Sequence, residues 1–172
     1  MNNCVTPYQF YSEYHQNPIN KLIHFVTIPL IVITTLSLVS NFKIKLTSTI
    51  YKRPHHSFGV DNITWSMDGI DLKGDFLLTM FYIFYYFTWK TPVNIIMFVY
   101  CLTMLLISRS IKQMSFYWNG LDLLIFIVAW ILQFAGHSLF EGNRPALMDS
   151  LSQAFLTAPA FSLDYIIPGM FQ

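Results

Sequence analysis

The chain has 172 residues, of which 54% are hydrophobic and 11% are charged. A typical soluble domain has about 25% charged residues. The low charge, with a mean hydropathy of +0.46, excludes a soluble globular protein and predicts a single membrane-embedded domain over residues 1–172. The formal net charge is +1 and the basic residues are dispersed, so no nucleic-acid partner is expected.

The first apolar segment, from Leu22 to Ser40, is entered through the dipeptide Asn17-Pro18. Asn17 is a favourable N-cap and Pro18 fits the first position of a helix, so a helix is predicted to begin here. Pro29 is predicted to kink this helix, which a membrane bundle tolerates when neighbouring groups satisfy the freed carbonyl. A row of polar residues opens the segment: His15, Asn17, Asn20 and His24.

A polar segment from Lys43 to Asp75 follows and predicts an extramembrane loop. Two fragments, Phe42–Leu46 and Asn62–Ser66, have the pattern of short strands. The adjacent residues His55 and His56 also lie here. We expect neither to belong to a functional site, because adjacent side chains point in different directions.

Two shorter apolar segments, Phe76–Trp89 and Val93–Ser108, are separated by Lys90-Thr91-Pro92 and predict a helical hairpin. Both are shorter than the roughly 20 residues that span the hydrocarbon of a bilayer. The fourth segment, Leu121–Phe140, is the clearest predicted span, and Asp122 is placed to cap its helix.

After Pro145, one apolar stripe predicts a helix that lies at the membrane interface and ends at Pro159, before a short re-entrant or loosely packed C-terminus. The stripe consists of Ala146, Leu147, Leu151, Ala154 and Phe155. The predicted fold class is therefore an all-α polytopic membrane helical bundle, with about four spans and an interfacial C-terminal helix.

Basic residues are unevenly distributed between the two sides of such a bundle. One side has Lys21, Lys90 and Arg144, and the other has Lys43, Lys45, Lys52, Arg53, Lys73, Arg109 and Lys112. The positive-inside rule predicts that the second side faces the cytoplasm.

A second polar row lies at the end of the fourth segment, where Gln133, His137 and Glu141 follow one another at i, i+4 spacing. On an α-helix these side chains share one face. Polar groups at membrane depth cost free energy, so a whole row of them indicates a function. An even number of crossings places this row on the same side as His15 and His24, so the two rows can meet.

Three histidines and a carboxylate that can meet predict a metal site. Imidazole and carboxylate ligands suit Fe(II), Zn, Mn or Ni, and such a set with open positions is typical of non-haem iron centres that activate O₂. His15 and His24 would lie on opposite faces of one straight helix, but the break at Asn17-Pro18 allows His15 to fold back. Asn17, Asn20 and Gln133 would orient the ligands or hold the polar end of a substrate.

The alternative to a metal site is that the side chains of both rows form hydrogen bonds between helices and hold no metal.

Both rows lie in stretches that resemble the fungal 2-hydroxy fatty acid dioxygenase family. The first stretch is residues 10–24, FYSEYHQNPINKLIH, with Pro29 beyond it. The second is residues 130–147, WILQFAGHSLFEGNRPAL, followed by LTAP at residues 156–159. Two long motifs in this order, joined by a prolyl hairpin, make the resemblance specific. Two features differ from the family pattern: the Lys43–Asp75 loop is longer, and Asp164 stands near a position where relatives have glutamate.

The resemblance implies a small multi-span protein of the endoplasmic reticulum membrane. In it, Fe(II) and O₂ would convert a 2-hydroxy fatty acid to a fatty acid one carbon shorter, a reaction that serves phytosphingosine breakdown in the fungal members. It also implies that His15, His24 and His137 are iron ligands, and that Glu141 is a fourth ligand or orients the others. Arg144 would pair with the substrate carboxylate or extend along the membrane interface.

Three other functional classes remain open on sequence alone. A metal-dependent membrane lipid hydrolase would use the same ligands with zinc. A non-catalytic lipid-binding protein would use the histidines only to join helices. A metal-ion transporter needs a polar path across the bilayer, and it is the least favoured because both polar rows lie on one side.

Overall fold

The computed structural model describes residues 12–46, 70–114, 118–142 and 151–170. Besides helical residues 12–14, these ranges contain α1 (Pro18–Val39), α2 (Gly74–Phe87), α3 (Val93–Met114), α4 (Trp118–Gly136) and α5 (Leu151–Ser162). A π-helical turn, His137–Glu141, continues α4, and a 3₁₀ turn, Leu163–Tyr165, follows α5. Two short strands are β1 (Lys43–Leu46) and β2 (Ile70–Lys73). The predicted all-α membrane helical bundle is confirmed.

Three of the described helices are long and apolar enough to cross a membrane: α1, α3 and the stretch Gly120–Glu141 of α4 with its π turn. They occupy the positions of the first, third and fourth predicted spans. The second predicted span corresponds to α2, which has 14 residues. A helix of this length rises about 21 Å, so it covers about two thirds of the hydrocarbon thickness.

The helices bury polar side chains and expose large apolar ones, which is the reverse of a soluble bundle. Asn20, Ser37 and Asp122 are completely buried, whereas more than half of the surface of Phe84 and Ile131 is exposed. In lipid an exposed apolar side chain is favourable, while polar groups need partners inside the protein. The arrangement therefore supports a membrane environment.

Helices α1 to α4 run alternately in opposite directions. The start of α2 lies beside the end of α1, where the Gly74 N–H donates to the Phe42 carbonyl at 2.8 Å. The end of α3 meets the start of α2, where Arg109 forms a salt bridge of 2.7 Å with the buried Asp75. These contacts gather the end of α1, the start of α2 and the end of α3 at one end of the bundle, which we call the polar end.

The start of α4 also lies at the polar end. Asp122 is the fifth residue of α4, which begins at Trp118, so the prediction that Asp122 caps the helix is wrong. Its carboxylate instead accepts a hydrogen bond from the Ser37 hydroxyl of α1. A completely buried carboxylate needs such a partner, and the bond joins two spanning helices.

Strands β1 and β2 pair in antiparallel orientation, with Lys43 opposite Lys73 and Lys45 opposite Asp71. The predicted strand within Phe42–Leu46 is confirmed as β1, whereas β2 has no counterpart in the sequence predictions. The other predicted fragment, Asn62–Ser66, lies outside the described residues. The pairing joins both ends of the polar Lys43–Asp75 segment and so holds α1 and α2 side by side.

Pro159 lies inside α5, so the prediction that the helix ends there is wrong. Proline at this position removes the N–H that would bond the carbonyl of Phe155. The Tyr82 hydroxyl of α2 donates to that carbonyl at 3.0 Å, and the Tyr86 hydroxyl donates to the Leu156 carbonyl at 2.7 Å. Because α2 satisfies the freed group, the helix continues to Ser162.

The C-terminal half of α5 packs into the core of the bundle. Ala160 and Phe161 are almost completely buried and belong to the same apolar cluster as Tyr86 and Met97. The Phe161 ring centroid lies 5.9 Å from that of Trp89. The prediction of a loosely packed C-terminus is therefore wrong, because apolar residues after Pro159 complete this core.

Tyr82→Phe tests whether the tyrosine replaces the missing N–H of Pro159. We expect the variant to lose about 1 kcal/mol of stability, since it leaves the Phe155 carbonyl without its donor. In a Pro159→Ala background the loss should be much smaller, because the restored N–H can bond that carbonyl. Thermal unfolding of the four proteins in detergent measures the difference, and equal losses in both backgrounds would contradict the explanation.

Candidate metal centre

The start of α1 positions two of the histidines. Asn17 caps the helix as predicted: its side-chain oxygen accepts from the Ile19 N–H at 2.8 Å, and Pro18 is the first helical residue. Residues 15–17 are not helical, so the chain can turn before α1. The ring centroids of His15 and His24 lie 4.5 Å apart. The predicted folding back of His15 is confirmed.

The third histidine is positioned by a change of helix type at the end of α4. From His137 to Glu141 the helix widens into a π turn, which ends at Gly142 with a left-handed φ of 66° that favours glycine. A π turn contains more residues than an α turn, so Glu141 is rotated away from the position directly above His137. Gln133, His137 and Glu141 consequently make three different contacts, although the sequence predicts one shared face.

His15, His24 and His137 form a buried cluster, with exposed fractions of 4%, 4% and 2%. The ring centroid of His137 lies 4.8 Å from that of each of the other two. The rings are steeply inclined to one another, with interplanar angles of 71° to 87°. One ring nitrogen from each residue lies within 4.8 Å of the others, so the three imidazoles could hold a metal ion.

The hydrogen bonds around the cluster fit a metal ion. His24 Nδ1 lies 2.9 Å from the Asn20 carbonyl, which can only accept, so Nδ1 has the proton and Nε2 is available as a ligand. His137 Nδ1 is buried without a hydrogen-bond partner among the described residues. A buried nitrogen without a partner costs free energy, and a bond to a metal would remove that cost.

The widest spacing of the ring nitrogens exceeds the spacing of ligands around a bound metal ion. Bonds of about 2.1 Å from metal to imidazole place ligand nitrogens roughly 3.0–3.4 Å apart. The ligand atoms of the three histidines are at most 4.8 Å apart. The imidazoles would therefore have to move closer together to coordinate one ion.

Glu141 lies outside this cluster and joins the two helix ends. Its Oε1 accepts from the Asn17 backbone N–H at 2.9 Å and from Asn20 Nδ2 at 3.0 Å. Asn20 also holds His24 Nδ1 through its backbone carbonyl, so its side chain contacts the Glu141 carboxylate and its backbone contacts one of the imidazoles. The roles expected of Asn17 and Asn20, to orient the ligands or hold the polar end of a substrate, stay predictions. The role of Glu141 as a fourth ligand stays a prediction.

Gln133 also joins α1 and α4, one turn before His137. Its Nε2 donates to Thr27 Oγ1 at 2.7 Å, and the Thr27 hydroxyl donates to the Ile23 carbonyl at 2.7 Å. Gln133 thus forms a hydrogen bond that joins two helices, as the alternative without a metal predicts for this residue. Sequence reasoning missed Thr27, because a threonine within an apolar helix has no spacing signal that separates a bridging role from simple packing.

Other residues singled out in the sequence lie away from the cluster or outside the described ranges. Arg144, His55 and His56 are outside the described residues, so their assignments stay predictions. Asp164 is buried, and its Oδ1 accepts from the Gly169 N–H at 3.0 Å. That bond stabilises the C-terminal turn.

Gly136 provides the space that Asn20 occupies. A Cβ at this position would lie 2.6 Å from Asn20 Oδ1 and 3.3 Å from Ile23 Cδ1. We expect Gly136→Ala to displace the Asn20 side chain from Glu141 and to lower metal affinity at least about tenfold. Metal content after reconstitution measures the effect. Gly120→Ala is the matched control on α4, because no atom lies within 4 Å of its added Cβ. Equal metal content in the two variants would refute this role.

Comparison with known proteins places these residues in a family. The model of a family described as 2-hydroxy-palmitic acid dioxygenase Mpo1-like matches residues 1–67 and 76–170, which include all three clustered histidines. The chain belongs to the Mpo1-like family. The 2-hydroxy-palmitic acid dioxygenase MPO1 of Saccharomyces cerevisiae is 27% identical to this Mpo1-like chain over 154 residues, which cover 88% of the chain and 72% of the yeast protein. No solved structure matches it.

Proposed function

We propose that this protein is an Fe(II)-dependent dioxygenase of the endoplasmic reticulum membrane. It converts 2-hydroxy fatty acids to fatty acids one carbon shorter, as part of fatty acid and sphingolipid breakdown. The observation that best supports the proposal is that His15, His24 and His137, from opposite ends of the chain, form one buried cluster. Membership of the Mpo1-like family and the similarity to the yeast enzyme support the same reaction.

The three imidazoles would hold the iron and leave further coordination positions open. When bound, Fe(II) would hold the carboxylate and adjacent hydroxyl of the substrate, provide a position for O₂ and relay electrons between them. A 2-hydroxy acid is suited to such a site because its two neighbouring oxygen groups can chelate one ion.

The reaction balances without another reductant. One 2-hydroxy acid and one O₂ give one shorter fatty acid, one CO₂ and one water. The bond between C1 and C2 breaks, C2 becomes the new carboxyl carbon and C1 leaves as CO₂. Oxidation of C2 releases three electrons and oxidation of C1 releases one, which together reduce one O₂ completely.

The residues around the histidines fix their positions. Asn20 holds the proton of His24 on Nδ1, so that Nε2 can face the metal. Glu141 binds Asn17 and Asn20 and thereby fastens the end of α4 to the start of α1. The cluster is buried, so bulk water is kept from the reacting groups.

The acyl tail would lie along the apolar surfaces of the same helix ends. Leu22 and Val26 of α1 and Phe134 of α4 are exposed large apolar side chains in the turns next to the histidines. Each methylene contributes about 0.8 kcal/mol to such contacts, so the enzyme should prefer chain length only weakly. Arg144 is proposed to pair with the substrate carboxylate.

The test uses the full chain, purified without oxygen in detergent and loaded with Fe(II). O₂ is then added with 2-hydroxypalmitate, and the 15-carbon acid is measured by mass spectrometry. We expect about one product molecule for each O₂ consumed, and none without iron. Zinc-supported cleavage of an ester or amide lipid, with no iron-dependent shortening, would favour the hydrolase instead. Tight lipid binding without any product would favour a lipid-binding protein.

A further inference from the structure

An open groove of about 880 Å³ lies at the polar end of the bundle, between the β hairpin, the start of α2 and the end of α3. Its charged lining residues are Lys43, Asp71, Lys73, Asp75, Arg109 and Lys112. From His24 to Ser40, which also lines the groove, α1 rises about 24 Å. The groove is therefore separate from the histidine cluster, and the inference drawn from it does not depend on the proposed reaction.

The charges in the groove do not balance. Four basic side chains face two acidic ones among the charged lining residues. Both acids have a basic neighbour already: Asp75 forms the salt bridge with Arg109, and Asp71 lies opposite Lys45 in the hairpin. The basic residues that remain give the groove a net positive charge, which is complementary to an anion.

Lys43 and Lys73 are the clearest sign of a missing anion. They lie directly opposite each other on β1 and β2, and like charges in that position destabilise a strand pair. Both line the groove, and neither lysine side chain forms a hydrogen bond or a salt bridge in the described part of the chain, although Asp75 attracts Lys73 at longer range. An anion between them would turn the repulsion into attraction.

Lys112 has a structural role beside them. Its Nζ donates to the Ser37 carbonyl, Ser40 Oγ and Asn41 Oδ1 at 2.6 to 2.9 Å, which uses all three of its protons. Arg109 binds Asp75 through Nε and is 42% exposed, so the rest of its guanidinium group can reach the groove. The donors for a ligand are therefore Lys43, Lys73 and Arg109.

The groove lies where a lipid headgroup would be. It is formed at the ends of α1 and α3, two helices that can cross a membrane, so it opens at the level of the membrane surface. Basic pockets at helix ends bind anionic headgroups, and the cytoplasmic leaflet is rich in anionic lipids. The distribution of Lys and Arg predicts that this end faces the cytoplasm.

We propose that the groove binds the phosphate of an anionic phospholipid between Lys43, Lys73 and Arg109. The acyl chains of this lipid remain in the bilayer beside α2 and α3. The bound lipid neutralises the facing lysines and holds the β hairpin to the membrane surface.

Binding is tested on the purified full chain in a non-ionic detergent. Dioctanoyl phosphatidic acid is titrated while the thermal unfolding temperature is recorded. Dioctanoyl phosphatidylcholine and inorganic phosphate are run at equal concentrations. We expect phosphatidic acid to raise the unfolding temperature, and the other two compounds to have no comparable effect. In the double variant Lys43→Gln, Lys73→Gln the apparent affinity should fall about 25-fold, since each basic residue contributes about a factor of five.

Lys90→Gln is the matched control, because it removes the same charge at an exposed position that follows α2 at the opposite end of the bundle and does not line the groove. This control should bind as the wild type does. If the double variant does not fold, Lys43→Gln alone is compared with Lys90→Gln, and a fivefold difference is expected. Equal losses in groove and control variants, equal binding of inorganic phosphate, or no shift in the wild type would each overturn the proposal.

Discussion

His137→Ala is expected to abolish iron binding and product formation together. The residue supplies one of three imidazoles in the cluster, and its Nδ1 has no hydrogen-bond partner among the described residues. Residues that only orient a metal ligand already contribute about 10- to 100-fold to metal affinity. Loss of a ligand should therefore lower affinity by more than about 100-fold. Iron content after anaerobic reconstitution and the yield of 15-carbon acid from 2-hydroxypalmitate measure both effects.

The control for His137→Ala is His55→Ala, a change of the same type at a histidine that is not expected to belong to the site. Fe(II) at 100 times its dissociation constant stabilises a folded protein by about 2.7 kcal/mol. The thermal unfolding temperature of the wild type and of His55→Ala should therefore rise with Fe(II), and that of His137→Ala should not. Product formation by His137→Ala at the wild-type rate would exclude the histidine cluster from the reaction.

The histidine cluster could be predicted from the sequence because simple constraints act on it. The number of spans decides which helix ends share a side, and the Asn17-Pro18 break decides where α1 starts. Together they bring His15 and His24 to the end of the helix that carries His137, and the three rings lie within 4.8 Å of one another. None of these steps requires knowledge of side-chain packing.

The position of Glu141 could not be predicted in the same way. The i, i+4 spacing from His137 indicates a shared face only if the helix remains an α-helix. The chain forms a π turn from His137 to Glu141, which no residue in the sequence marks. The carboxylate consequently reaches Asn17 and Asn20 on the other helix end.

The continuation of α5 through Pro159 also depends on tertiary contacts. From the local sequence, a helix is predicted to end near proline, because proline lacks the N–H that would bond a carbonyl of the preceding turn. Tyr82 donates the hydrogen bond that Pro159 cannot, although the two residues are 77 positions apart in the chain. Within the aromatic run of α2, nothing separates such a donor from a residue that only packs against lipid.

Glu141 can be tested by comparing a conservative variant with a truncation. Glu141 is a positioning residue, because one of its oxygens accepts hydrogen bonds from two N–H groups, those of Asn17 and Asn20. Glu141→Gln keeps an acceptor oxygen, so we expect it to retain iron and to lose less than about tenfold in kcat/KM. Glu141→Ala leaves the Asn17 N–H and Asn20 Nδ2 without their acceptor and should cost about 2 kcal/mol or more of stability.

The same pair of variants separates positioning from ligation. A carboxylate ligand binds a metal through its negative charge, which glutamine lacks, so a ligand role predicts that Glu141→Gln loses iron nearly as completely as Glu141→Ala. A positioning role predicts a large gap between the two variants, in iron content and in activity. Glu13→Gln, at an exposed carboxylate near the start of α1, is the control for the change in charge alone. Asn20→Ala removes the amide that donates to Glu141 but keeps the backbone carbonyl that holds His24 Nδ1. The positioning role therefore predicts that this variant shows part of the iron loss of Glu141→Ala. A ligand role leaves the Asn20 variant with the carboxylate still able to bind the metal.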